Sequence, residues 1–147
     1  MESRGKVIIA VVLVAIIGVL TYSWFNVRGD EVKGVSEISS DCTVTIKVGD
    51  EDEKEYVLTG DQIEMLRTLI LESTFTKTLS HIVTYPAGTE QYAILIDWNN
   101  RQDFLHIYSA GNEYISIPDQ FGGRHLKINN PRWENGLKEI IALSGQS

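Results

Sequence analysis

The sequence has no charged residue between Val7 and Phe25, and it contains one cysteine, three prolines and three histidines in 147 residues. Each shortage excludes something. A lone cysteine, Cys42, closes no intramolecular disulfide, so the fold must rest on burial and hydrogen bonding. An exported domain of this size without cross-links leans toward a bacterial rather than an animal setting. His81, His106 and His125 lie in separate stretches without ligand spacing. A zinc site needs three or four converging ligands, so neither a metal nor a cofactor is expected. There is no Gly-x-Ser-x-Gly elbow, no phosphate-cradling glycine loop, no Asn-x-Ser/Thr sequon, no internal repeat and no low-complexity tract. Basic charge is scarce as well: 13 Lys and Arg stand against 20 Asp and Glu, for a net charge of −7. Setting aside Glu2, Arg4 and Lys6, the remainder carries about −8. That excess disfavours nucleic acid, whose phosphates call for a basic face. It also argues against the domain lying on an anionic lipid surface.

The uncharged run from Val7 to Phe25 is the strongest positive signal. At ~1.5 Å per residue it makes roughly 28 Å of helix, close to the hydrocarbon thickness of a bilayer. Tyr22, Trp24 and Phe25 close it with aromatic side chains suited to the interface. Arg4 and Lys6 precede it, whereas Asp30, Glu31 and Glu37 outweigh Arg28 and Lys33 beyond it. The positive-inside rule therefore expects residues 1–6 in the cytoplasm, 7–25 as a transmembrane helix and the rest outside. The competing reading is a cleaved signal peptide, because the strictly aliphatic part, Val7 to Leu20, has signal-peptide length. No small-x-small site follows it, and bulky aromatics stand where a peptidase would act. An uncleaved anchor is thus expected, with secretion as the alternative.

Residues 26–40, rich in Gly, Ser and charge without a sustained period, read as a flexible linker. The domain is expected over 41–147. Cys42, Val44, Ile46 and Val48 alternate with polar residues, the mark of a half-buried strand, and Glu55 to Leu58 reads as its return. Thr59 and Gln62 have capping-box spacing, and Ile63, Leu66, Leu69 and Ile70 form the buried stripe of a following helix. Strands are expected at Leu79–Tyr85, Gln91–Asp97, Asp103–Ser109 and Tyr114–Ile117, with Phe121-Gly122-Gly123 a mobile loop and Arg124–Ile128 a last edge strand. Asn130-Pro131 opens a final helix whose stripe is Trp133, Leu137, Ile140 and Ile141. The fold class is α+β, an antiparallel sheet of four to six strands with two helices on one face.

Few residues suggest chemistry. The acidic turn Asp50 to Glu53, with Glu55, lacks the ligand alternation of a Ca²⁺ loop and reads as a solvated hairpin turn. Arg28-Gly29-Asp30 is a tripeptide that integrins bind in exposed loops, but a short tripeptide alone is a weak signal and this one lies only a few residues from the expected bilayer. The informative feature is a face. Phe104, His106 and Tyr108 alternate with Leu105 and Ile107, while Tyr92, Trp98 and Tyr114 lie on neighbouring strands and turns. A sheet covered by helices on one side leaves the other open, and Tyr and Trp are favoured at interfaces. These six residues form the candidate partner surface, unless the linker covers that face or Phe104 and Tyr108 point inward.

The layout from Val7 to Leu143 resembles the small membrane-anchored extracytoplasmic domains of unknown function found in Gram-positive bacteria. It combines a basic-flanked anchor, a Ser/Gly segment, and a β-α-β-β-β-β-α domain with helices at Thr59–Ile70 and Trp133–Leu143. The resemblance implies a bacterial surface location and carries no functional residue. The expected role is a non-enzymatic binding or regulatory module engaging a protein or peptide near the membrane. The alternatives are a cell-envelope enzyme without a recognisable motif and a structural subunit of a membrane complex.

Overall fold

The computed structural model describes residues 2–49 and 52–145. Helix α1 (Glu2–Phe25) is long and apolar enough to cross a membrane, and its side chains from Ser3 to Trp24 are exposed. It runs directly into strand β1 (Asn26–Arg28). The chain continues through β2 (Thr43–Val48), β3 (Lys54–Val57), α2 (Gly60–Leu71), β4 (Thr74–Lys77), β5 (Gln91–Asp97), β6 (Phe104–Ala110), β7 (Tyr114–Ser116), β8 (His125–Ile128) and α3 (Trp133–Ser144). All strands join one antiparallel sheet of eight, in the order β1-β4-β8-β7-β6-β5-β2-β3. The α+β class and the two helices on one face are as the sequence implies, but the sheet has more strands.

The helices form for local reasons. At the start of α2, Gln62 Oε1 accepts the Thr59 N–H at 2.7 Å, the backward half of the capping box. Ile63, Leu66 and Ile70 then face the sheet, buried. At α3 the sequence points to Asn130 as the cap, yet the helix proper begins at Trp133. Asn130 Oδ1 accepts the Arg132 N–H at 2.9 Å, and the free Glu134 N–H is satisfied from another element, by Asn112 Oδ1 at 2.7 Å. Trp133, Leu137 and Ile140 are buried beneath it. Trp133 meets Phe75 edge to face at 5.7 Å and donates through Nε1 to Ser109 Oγ at 2.8 Å. An indole N–H sealed in a core needs such an acceptor.

Three expectations are corrected. First, residues 26–40 are not a flexible linker. Val27, Val32, Val35 and Ile38 are buried in the main core, joined by 3-10 turns at Gly29–Glu31 and Val35–Glu37. The apolar residues in this stretch are too few for a period, but each finds a buried site. The same docking holds the Arg28-Gly29-Asp30 tripeptide: Gly29 is buried and Arg28 pairs with Asp30 at 3.3 Å. Second, Leu79–Tyr85 is not a strand. The strand ends at Lys77, and Leu79 and Ile82 are 80% and 82% exposed. Third, Arg124–Ile128 is not an edge, since β8 pairs with both β4 and β7. The edges are β1 and β3. Asp50 and Glu51, half of the acidic turn, lie outside the described residues. The neighbouring Glu53 and Glu55 pair with Lys47 at 3.2 and 3.9 Å.

Three connections join parallel strands across the sheet: β1 to β2, β3 to β4, and β4 to β5. The first two cross the helix-bearing inner face, where Val32, Val35, Ile38 and the α2 stripe are buried. The third, residues 78–90, returns the opposite way. The right-handed sense of such crossovers places it on the outer face. On that face Ala110 is accordingly buried at 6% exposure, and Tyr114, Ser116 and His125 are half-buried. The strap is tied to the sheet at its two ends, where the Thr78 N–H donates to the His125 carbonyl at 3.0 Å and the Gly111 N–H donates to the Glu90 carbonyl at 2.9 Å, and the β6-β5-β2-β3 half of the outer face stays open.

Candidate partner-binding face

Strand alternation assigns each β6 side chain to a face. Leu105, Ile107 and Ser109 are buried inward. Phe104, His106 and Tyr108 therefore point outward, stepping i, i+2, i+4 along one strand. Their rings form a ladder: Phe104 stacks on His106 with centroids 4.6 Å apart, and Tyr108 meets His106 edge-on at 6.3 Å. Register extends the patch. Leu95 lies opposite His106, and Thr45 lies between Leu95 and Val57. Phe104 is 63% exposed, Val57 61% and Tyr108 45%, so exposed apolar side chains stand on β6 and β3, with half-buried Leu95 and Thr45 between them. Thr43, Thr45, Lys47 and Asp97 are its polar neighbours on the same face. Nothing from residues 26–40 lies over it, since that segment packs on the inner side.

The other three expected members do not join the ladder. Tyr92 points inward, in register with Ser109, and is 3% exposed. Its hydroxyl donates to Glu134 Oε1 at 3.2 Å. Burial, then the Glu134 and Glu90 charges, then that hydrogen bond push its phenol above the ordinary value of 10.0. Trp98 is a clasp for the N-terminal segment. Its Nε1 donates to the Glu37 carbonyl at 3.1 Å, and its ring lies against Gly34, where a Cβ would come within 2.7 Å of it. Gly34 also has φ of 93°, a left-handed value that favours glycine. Arg101 lies over the Trp98 ring at 5.1 Å and binds the Glu37 carboxylate. Tyr114 faces outward but is half-buried, in register with Ala110 and Lys127.

Leu95 and Val57 belong to the face and were absent from the sequence-based set. Their signal lay in pairing register, which is not encoded in local spacing. On the opposite side of the molecule, an open groove of about 960 Å³ separates α2 from α3, bordered by Asp61, Glu64, Glu72, Glu139 and Arg132. Cys42 is buried beside its strand, with its Sγ 3.5 Å from the Ser39 N–H. Among the described residues, no three His, Cys, Asp or Glu side chains gather as metal ligands.

No family model matches the chain, and no curated protein or solved structure matches it.

Proposed function

We propose that the chain is a single-pass, membrane-tethered extracytoplasmic module that binds a protein or peptide close to the membrane, with residues 1–6 on the cytoplasmic side. The observation that carries this reading is the exposed Phe104–His106–Tyr108 ladder with Leu95 and Val57 beside it. Large aromatic side chains held rigidly on a strand cost little entropy to bury and are typical interface anchors. An apolar centre with a polar border is the common anatomy of such a surface. The patch also adjoins the free edge of β3, so a partner peptide can pair with that strand while its side chains meet the ladder.

The test uses the full chain in lipid nanodiscs as bait for envelope proteins, comparing wild type with Phe104→Ala/Tyr108→Ala. Both side chains are exposed, so the variant folds normally. Partners held by the ladder are recovered by wild type and lost by the variant. Equal recovery by both sinks this assignment of the surface.

A further inference from the structure

The expected hostility to lipid rests on total charge, and total charge conceals a local arrangement where the chain leaves α1. Lys77 Nζ lies 4.4 Å from the Trp24 ring centroid, and the Arg124 guanidinium lies 5.4 Å from it. Among the described residues, neither cation has a carboxylate partner, although acids outnumber bases in the chain. Arg124 Nη1 also donates to the carbonyls of Thr78 and Leu79, at 3.0 and 3.3 Å. One guanidinium thus ties the aromatic end of α1 to the start of the strap. From there the strap presents Leu79 and Ile82, 80% and 82% exposed, and Tyr85 at 43%. The rest of this loop is locally ordered: Thr78 Oγ1 donates to the Ser80 carbonyl at 2.8 Å, and Ser80 Oγ accepts the Ile82 N–H at 3.1 Å. The two aliphatic side chains are therefore held outward rather than folded back.

We propose that residues 77–85, with Arg124, form a second membrane contact, in which Lys77 and Arg124 bind phospholipid phosphates and Leu79 and Ile82 enter the acyl boundary. This rests on the reading of α1 as the anchor. Trp24 marks headgroup depth, because tryptophan at the end of a spanning helix prefers that layer. Cations beside it meet phosphate oxygens, and aliphatic side chains beyond it leave water for hydrocarbon. The occupant is the bilayer that holds α1. A protein is the less apt occupant, since the loop sits next to the helix exit. Two points of attachment fix the domain's tilt, and so the direction in which the Phe104 ladder faces.

The test places an environment-sensitive fluorophore at Leu79→Cys, Ile82→Cys, Ala87→Cys and Val14→Cys in turn, in a full chain carrying Cys42→Ala. Each protein is reconstituted into bilayers of phosphatidylcholine and phosphatidylglycerol in equal parts, with and without lipid-borne nitroxide quenchers. Interfacial segments sit ~5–10 Å into the headgroup boundary, so labels at 79 and 82 are expected to shift to the blue and lose roughly half their emission to a shallow quencher. Position 87, at the far end of the same strap, stays water-exposed. If 79 and 82 behave like 87 while 14 is quenched, the loop proposal is overturned and the anchor stands. If 14 is not quenched by a nitroxide placed deep in the acyl chains either, the anchor reading fails and takes the proposal with it. Lys77→Gln/Arg124→Gln is expected to weaken quenching at 79 and 82 without changing 14; unchanged quenching there overturns the phosphate role of the two cations.

Discussion

Gly29→Ala separates a docked N-terminal segment from a flexible one, because the two arrangements predict different outcomes. In the docked arrangement, a Cβ on Gly29 would lie 1.7 Å from the Ile70 carbonyl oxygen, 2.6 Å from its carbon and 2.9 Å from Leu71 Cα. All three are backbone atoms, and no rotamer change relieves them. Either the end of α2 moves or residues 26–31 lift away. Lifting breaks the Gly29 N–H bond to the Ser73 carbonyl at 2.9 Å and disturbs β1 against β4. Overpacking costs about 1–3 kcal/mol and a lost hydrogen bond about 1 more, so the expected loss is about 3 kcal/mol. For a domain of this size that lowers Tm by about 10–15 °C. In a flexible linker the same change restricts the folded and unfolded chains alike and leaves stability unchanged. Thermal unfolding of the full chain in nanodiscs, followed by the fluorescence of buried Trp133, measures the shift. An unchanged or raised Tm would refute the docking of residues 26–40.

Tyr92 predicts alkaline lability. Its folded pKa is raised, so above the unfolded value of 10.0 the unfolded chain has lost a proton that the folded chain keeps. The stabilisation is fully present below that pH and is lost as pH rises toward the folded pKa, with a slope of about 1.4 kcal/mol per pH unit. Tyr92→Phe should flatten that slope in urea titrations run above pH ~10; an unchanged slope would show that another group controls it. Ser109→Ala removes the acceptor of the Trp133 indole N–H, a bond of 2.8 Å in the core. Stranding a buried donor costs about 1–3 kcal/mol, read as a lower denaturation midpoint, and an unmoved midpoint would mean that the indole has found another acceptor.

Local periodicity made part of this molecule legible. The capping spacing of Thr59 and Gln62, followed by Ile63, Leu66 and Ile70, defines α2 within a dozen residues, and Trp133, Leu137 and Ile140 do the same for α3. The alternation of Gln91–Asp97 locates β5 to the residue. On β6 and β5 both alternating sets carry apolar side chains, so the inward phase is ambiguous from the sequence. Tyr92, Ile94 and Ile96 form one set while Ala93 and Leu95 form another that is also apolar, so local spacing leaves the face of Tyr92 open and packing turns it inward. Strand β1 is only three residues long, and its partner β4 lies far along the chain, so no local pattern announces it. Leu79–Tyr85 has the composition of a strand, but every neighbouring position in the sheet is taken, since β4 already sits between β1 and β8.

By itself, then, the sequence determined the apolar span from Val7 to Phe25, the α+β class, the two amphipathic helices and most strands, all set by residues within a turn or a strand of one another. Only the tertiary structure decided that residues 26–40 belong to the core, that residues 79–85 stay out of the sheet, and that Leu95 and Val57 flank the Phe104 ladder. Those outcomes depend on which distant surfaces bury one another best, and that competition is settled across the whole sheet rather than along the chain.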